Sequence, residues 1–394
     1  MLQEDVFDRQ DVAQGGSLRL ANAQVVTAEA AFRGGVTVEN GVITAVEEGG
    51  AVPSDAVDCD GELLIPGLVD LHTDHCERHA VPRPGVHWEP LQAAIAHDAQ
   101  VAAAGITTVF DSLVVGLRDA DQTRRDLLGQ IMAAVEKGEE LGVFRSQHLL
   151  HLRCEVTDPT LLDQIVPQMD HPLLQLVSVM EHTVGQRQFP DPEKYKEVLV
   201  KLFHVPEDQV EERFRRDAEA SRTFAPTYRE AVARMAQERD IPVAAHDDET
   251  LEHVEEAARL GMTLSEFPTT MLAAEAAKER GMTTIMGAPN VVKGGSQSGN
   301  LSALELAKAG LLDVLASDYV PISLLAATLR LTEDDVGMSL PEAVKTASLN
   351  AAKAAGLDDR GEIAPGKRAD LLRVRKVGDH PVIRTVYTAG KRVA

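Results

Sequence analysis

LLIPGLVDLHTD, residues 63–74, is the stretch on which the reading of the fold turns. Its second half, Leu68-Val69-Asp70-Leu71-His72-Thr73-Asp74, is a short apolar run that closes on two chemistry-bearing side chains. Its length suits a buried strand, and residues two apart in an extended chain lie on the same side, so His72 and Asp74 are expected to point together. The same plan recurs through the middle of the chain in ITTVFDS (106–112), QHLLHLRCEV (147–156), LQLVSVMEHT (174–183), PVAAHDD (242–248), TLSEFPTT (263–270), TTIMGAP (283–289) and DVLASDY (313–319). Helical stretches such as LQAAIAHDAQVAAA, LEHVEEAARL and LSALELAKA separate these runs. Eight strands alternating with helices predict an α/β chain built on a (β/α)8 TIM barrel.

Outward from that centre the pattern changes. LRLANAQVVT, GGVTVENGVITAVEEG and AVDCDGELLIPG are rich in Val, Ile and Thr, and the Asn40-Gly41 pair between two such runs is a hairpin signal. The C-terminus returns to this style in ADLLRV (369–374) and VIRTVYTAGKRV. The two ends together predict a small β-sandwich domain formed from residues 1–66 plus 366–394, around a barrel domain spanning 67–365. Residues 191–240 are charged and helix-prone, and are expected to form a helical insertion between the fourth and fifth strands.

The 394 residues are 44% hydrophobic and carry a formal net charge of −23. That apolar fraction excludes a disordered chain, and no apolar run approaches the roughly 20 residues of a membrane span. The acidic, polar start MLQEDVFDRQDVAQGG carries no signal-peptide pattern, and Cys59, Cys76 and Cys154 are odd in number with no CxxC spacing. A reduced, cytoplasmic protein is the expectation. The charge argues against nucleic acid or an anionic membrane as partner. An anionic substrate would need metal ions or a local basic patch to offset the overall field.

The polar strand ends are where the chemistry gathers, because the C-terminal face of such a barrel is its active-site face. His72 and Asp74 end the first strand, Glu155 the third, His182 the fourth, His246 the fifth and Asp318 the eighth. Any one of them could be a hydrogen-bonded structural residue or a cap. Six in one phase at one mouth suit one or two divalent metals, with zinc expected and manganese, iron or nickel compatible. Asp318 is also the candidate catalytic base, since a carboxylate there can accept a proton from the attacking water. Glu181 falls on the opposite strand face by alternation, as does Cys154. His75 lies out of phase with His72 and is expected to be structural or to support the ligands.

LLIPGLVDLHTD, the later SDY and the closing ASLNAAKAAGLDDRGEIAPGKRADLL resemble the amidohydrolase superfamily over nearly the whole chain. With HTDHCERHAVPRPGVHW, EHTVGQRQF, SEFPTT and GAPNVVKGGSQSGN, the chain is similar to the PhnM family of alpha-D-ribose 1-methylphosphonate 5-triphosphate diphosphatases. That resemblance implies a metal-dependent release of pyrophosphate from a ribose 5-triphosphate in phosphonate breakdown. The first-strand element reads His-Thr-Asp where the superfamily usually has His-x-His. Many relatives bridge two metals with a carbamylated lysine; none of the eight strand candidates contains lysine, and Glu155 can supply the bridge unmodified. The resemblance further implies phosphate contacts from Arg83, Arg187, Lys293, Ser296, Ser298 and Asn300, the last four in a Gly/Ser-rich segment expected to follow strand seven and open a helix. Two rival readings are a cyclic-amide hydrolase or deaminase on the same scaffold, and a non-catalytic assembly subunit. A homo-oligomer, most simply a dimer, is the expected assembly.

Overall fold

Each of the eight apolar runs forms a strand in the computed structural model, which describes residues 16–83, 85–116, 122–201, 205–295 and 300–394, with side chains left out for 122–125. The barrel strands are β1 (Leu68–Thr73), β2 (Ile106–Val115), β3 (Gln147–Glu155), β4 (Leu174–Met180), β5 (Val243–His246), β6 (Leu264–Glu266), β7 (Thr283–Gly287) and β8 (Val314–Ala316). Each pairs in parallel with the next, in chain order. The ring closes at its mouth through a bridge between Thr73 and Asp318. There Asp74 N donates to Asp318 O and Asp318 N donates to His72 O, both at 2.9 Å. The closure therefore fixes the backbone of three candidate site residues at once.

Every strand sends apolar side chains into the barrel: Val69 and Leu71, Phe110, Leu149, Leu176, Ala244, Leu264, Ile285, then Val314 and Ala316. Full burial of a Leu, Ile or Phe contributes roughly 1.5–3 kcal/mol each, so this layer is a packed floor beneath the mouth rather than a pore. The helix Leu349–Ala354 adds Ala351 and Ala352 to the same cluster. Val69 and Leu71 face this interior, so strict alternation would turn His72 outward. The β1–β2 ladder is irregular between Asp70 and Thr73, and the slip turns the His72 ring into the mouth against Phe267, His151 and His246.

The two termini form one eight-stranded sheet in which Leu371–Val377 runs antiparallel to Leu63–Pro66, with Leu372 opposite Ile65. Gly67 is the seam between this sheet and the barrel. A Cβ there would lie 2.2 Å from Thr107 Oγ1 and 2.9 Å from Asp370 Cβ, so the approach excludes any side chain. Gly67 N donates to Asp370 O at 2.8 Å, tying the start of β1 to the C-terminal segment. Between β4 and β5 the charged stretch folds as the helices Pro192–Lys201 and Val210–Gln237, and Arg229 of the second reaches back to Glu181 just past β4. Among the described residues, no helix is long and apolar enough to cross a membrane.

Candidate metal centre at the barrel mouth

Parallel pairing sets His246 beside Glu266, and the β1 slip brings His72 to the other side of the same carboxylate. Glu266 is fully buried, and its two oxygens each take one imidazole Nδ1: His72 at 2.6 Å and His246 at 2.6 Å. Both histidines donate from Nδ1, so both present Nε2 toward the mouth. His72 Nε2 lies 3.5 Å from Asp74 Oδ1, and His246 Nε2 lies 3.3 Å from Asp247 Oδ2. His182 Nε2 approaches the same Asp247 oxygen at 3.9 Å, while its Nδ1 lies 2.8 Å from Glu155 Oε2. Asp247, Phe267 and Asp318 each hold a positive φ, near 56–59°, immediately or shortly past β5, β6 and β8. Non-glycine residues in that conformation cost of order 1–3 kcal/mol each, strain of the kind that concentrates at functional sites.

A cation stands inside the acidic ring. Arg153, two residues before Glu155 and in phase with it, donates from Nη1 to Asp74 Oδ1 at 2.6 Å. Burial works against a charged Asp74, but the Arg153 guanidinium and the His72 ring hold its carboxyl well below the usual range. Burial pushes Asp318 the other way, up to about 6, with the nearby Asp74 carboxylate adding to the rise. Burial also drives His151 down to about 3, helped by His72 and Arg153. His151 is therefore neutral; its Nδ1 lies 3.0 Å from Leu71 O and its Nε2 is buried without a partner.

These donors fit divalent metal ions. His72 Nε2 and Asp247 Oδ2 are buried and lack hydrogen-bond partners. Two sets of three donors gather with their ligating atoms within 4.8 Å of one another: His72 with Asp74 and Asp318, and His182 with His246 and Asp247. Imidazole and carboxylate oxygen together suit first-row divalent cations. Glu266 is the second layer beneath them, fixing the tautomer of both histidines as a carboxylate behind a ligating imidazole does.

Of the six expected ligands, five fall within these two sets. Glu155 stands at their edge: besides His182 it accepts from Thr157 Oγ1 at 2.6 Å. The expected phosphate contacts are less gathered. Arg187 is buried with its guanidinium engaged by Asp248 at 2.5 Å and by His246 O at 3.3 Å, so the charge expected to meet a phosphate is already neutralised inside the protein. Arg83 is exposed, in a turn bridged to Val86. Lys293 is exposed at the end of the helix Ala288–Lys293. Asn300 Nδ2 donates to Gln188 O at 3.4 Å, linking the segments after β7 and β4. Ser296 and Ser298 lie outside the described residues. The helix expected to open at this segment begins later, at Ala303, where Ser302 and Glu305 form a reciprocal cap. The N–H groups taken up by that cap are not free for an anion. Glu181 faces away from the mouth, as alternation predicts, bound to Arg229 at 2.5 Å and to Ser221 at 2.5 Å.

Four further residues of the mouth carry no ligand role in the sequence reading. His151 and Arg153 precede Glu155 at spacings of two, and Asp247 directly follows His246. Glu266 ends SEFPTT's strand in phase with the buried Leu264. Strand phase sets His151 and Arg153 on the side of Glu155 and Glu266 on the side of Leu264; Asp247 reaches the mouth through a positive φ, which no sequence pattern announces.

Residues 63–393 match the amidohydrolase family. The alpha-D-ribose 1-methylphosphonate 5-triphosphate diphosphatase of Escherichia coli (strain K12) is 41% identical over 374 residues, covering 94% of this chain and 99% of that one. The imidazolonepropionase of Deinococcus deserti is 26% identical over 370 residues, 85% of each chain. Among solved structures, the 5-methylcytosine deaminase of Klebsiella pneumoniae superimposes with a TM-score of 0.64 at 15% identity, covering 96% of this chain and 97% of that one. The N-acetyl-D-glucosamine-6-phosphate deacetylase of Mycobacterium smegmatis does so with a TM-score of 0.63 at 18% identity, covering 96% and 100%. At these identities the two structures speak to the fold alone.

Proposed function

The chain belongs to the amidohydrolase family, and from that premise we propose that it is a metal-dependent diphosphatase cleaving alpha-D-ribose 1-methylphosphonate 5-triphosphate to the 5-phosphate and pyrophosphate. The observation that carries the substrate is the 41% identity to the Escherichia coli diphosphatase across 94% of this chain. The mouth supports it chemically. His72, Asp74 and Asp318 are the proposed holders of one cation, and His182, His246 and Asp247 of a second. Glu155 is the proposed acidic bridge: it is in phase with Arg153 and His151, no barrel strand carries a lysine, and Oε2 already lies 2.8 Å from His182. Zinc is the proposed ion. When bound, such ions lower the pKa of water and neutralise charge developing on phosphoryl oxygens.

The protein's own groups do the rest. Asp318, gathered with His72 and Asp74 at the end of β8, is the group proposed to take the proton from the attacking water. Water oxygen attacks phosphorus, the bond to the bridging oxygen breaks, and pyrophosphate leaves with that electron pair. Arg153, whose Nη1 already holds Asp74 Oδ1 at 2.6 Å, is proposed to position that carboxylate at the mouth. Arg83, Lys293, Ser296, Ser298 and Asn300 remain the proposed contacts for the distal phosphates. A homodimer and a cytoplasmic setting, the latter in keeping with three buried free thiols, complete the reading.

The test is a direct comparison of substrates. The metal-loaded protein is expected to release pyrophosphate from the ribose 5-triphosphate and to leave dihydroorotate and hydantoin rings closed. His72→Ala should lower kcat by more than about tenfold, at least about 1.4 kcal/mol of barrier. Ring opening without pyrophosphate release would establish the cyclic-amide reading instead. Absence of both reactions, with no metal retained on reconstitution, would favour a non-catalytic subunit.

A further inference from the structure

We propose that His75, His79 and His97 form a divalent-cation site of their own, beside the barrel mouth and sharing none of its proposed ligands. The helix His75–Ala80 leaves β1 directly after Asp74, and a spacing of four sets His75 and His79 on adjacent turns of one face. His97 comes from the helix Pro90–Ala103 packed against it. Ring centroids are 4.9 Å apart for His75 and His79, 5.6 Å for His75 and His97, and 5.9 Å for His79 and His97. One nitrogen from each ring lies within 4.8 Å of the other two.

Three features separate this cluster from ordinary packing of histidines. First, each ring keeps a buried nitrogen with no hydrogen-bond partner: His75 Nδ1, His79 Nε2 and His97 Nδ1. Leaving three such groups unpaired in one place is costly, and one cation satisfies all three. Second, His97 is fully buried and its Nε2 lies 2.7 Å from Asp111 Oδ1. The carboxylate fixes the proton on Nε2 and leaves Nδ1 as a buried lone pair without a partner, the arrangement found behind metal-bound imidazoles. Third, Asp111 is itself held from the other side by His148 Nδ1 at 2.8 Å, so the supporting layer is built and not incidental.

The donor set selects the ligand. A lone pair at His97 Nδ1 repels an anion and attracts a cation. Three imidazoles suit zinc and its first-row neighbours, whereas magnesium and calcium prefer oxygen. Cys76, on the same helix, forms another possible grouping with His97 and Asp111. Both Asp111 oxygens are already engaged by histidines, so the three-imidazole set is the one proposed. A cation here would pin the helix after β1 to the next helix and so steady Asp74 at the mouth.

The experiment uses the full chain, stripped of metal and titrated with cobalt(II). Cobalt per chain is counted after dialysis, and its visible ligand-field absorption is recorded. In a His72→Ala/His246→Ala background, which disables the mouth, about one cobalt per chain should remain bound with a low-symmetry, near-tetrahedral spectrum. Adding His79→Gln should weaken that binding at least about tenfold, and His75→Asn should do the same. If the double variant does not fold, His79→Gln alone should lower the wild-type cobalt count by about one. Cys76→Ser should leave the count unchanged. No cobalt in a folded mouth-disabled chain, indifference to both His75→Asn and His79→Gln, or loss of binding in Cys76→Ser would each overturn the three-imidazole site. None of these outcomes bears on pyrophosphate release, so this proposal and the proposed activity fail separately.

Discussion

Glu266→Gln changes one atom type and should disturb two histidines at once. The native carboxylate accepts from His72 Nδ1 and His246 Nδ1, each at 2.6 Å, with no exposure to water. Hydrogen bonds to a charged group contribute about 1.5–3 kcal/mol each. Glutamine keeps one acceptor oxygen, so one imidazole retains its partner. The other meets an amide N–H and must move its proton to Nε2 to accept, which removes that lone pair from the mouth. The metal-free variant should therefore lose about 1.5–3 kcal/mol of stability, one such bond. Its cation affinity should fall about 10–100-fold, the usual effect of removing the carboxylate behind a ligating histidine. Denaturant unfolding of the stripped protein measures the first, and competition against a chelating indicator measures the second. A variant that binds cations within about twofold of wild type would refute the claim that Glu266 sets the tautomer of both rings.

Glu155→Gln keeps shape and removes charge, so it should lose one of two cations per chain with a large fall in kcat, and added bicarbonate should restore nothing because no carbamate forms. Two cations retained, by elemental analysis, would reduce Glu155 to a hydrogen-bond partner of His182. Glu181→Gln should leave the metal count unchanged but destabilise the fold by about 3 kcal/mol at neutral pH, because it leaves Arg229 and Arg187 buried beside a neutral group. Burial opposes the Glu181 charge, but Arg229 lowers its pKa in the fold, so its contribution is present above the unfolded value of about 4.3 and lost as pH falls through the lower folded value. The stability gap between wild type and Glu181→Gln, followed by denaturant titration, should therefore narrow below about pH 4.3; a constant gap would place the loss in packing. A chain cut to residues 1–365 loses all three C-terminal strands, including the Leu371–Val377 partner of Leu63–Pro66, and should be insoluble or melt without cooperativity if 1–66 and 366–394 make one domain.

How much of this could be read from the chain depended on the length scale of each feature. The eight strand runs are local, apolar and bounded by turns, so periodicity located all of them. The C-terminal ends of those runs located His72, Asp74, Glu155, His182, His246 and Asp318 for the same reason. Alternation failed where the backbone departed from ideal pairing. His72 reaches the mouth through a slip in the β1–β2 ladder, and Asp247 through a left-handed backbone, neither of which period-two reasoning encodes. Arg187 misled for a different reason: its partners Glu181 and Asp248 converge only in three dimensions, and a basic residue near an anion site reads the same whether free or engaged. The His75, His79 and His97 cluster was illegible because His97 lies two helices away from β1 and joins the others only through helix packing.

The most direct test of the account is phosphorus-31 NMR of the products formed from alpha-D-ribose 1-methylphosphonate 5-triphosphate by the metal-reconstituted protein. The account predicts pyrophosphate and the sugar 5-phosphate appearing together in about equal amounts, and no turnover once the metal is stripped. Release of orthophosphate in place of pyrophosphate, or turnover that survives complete removal of metal, would contradict it.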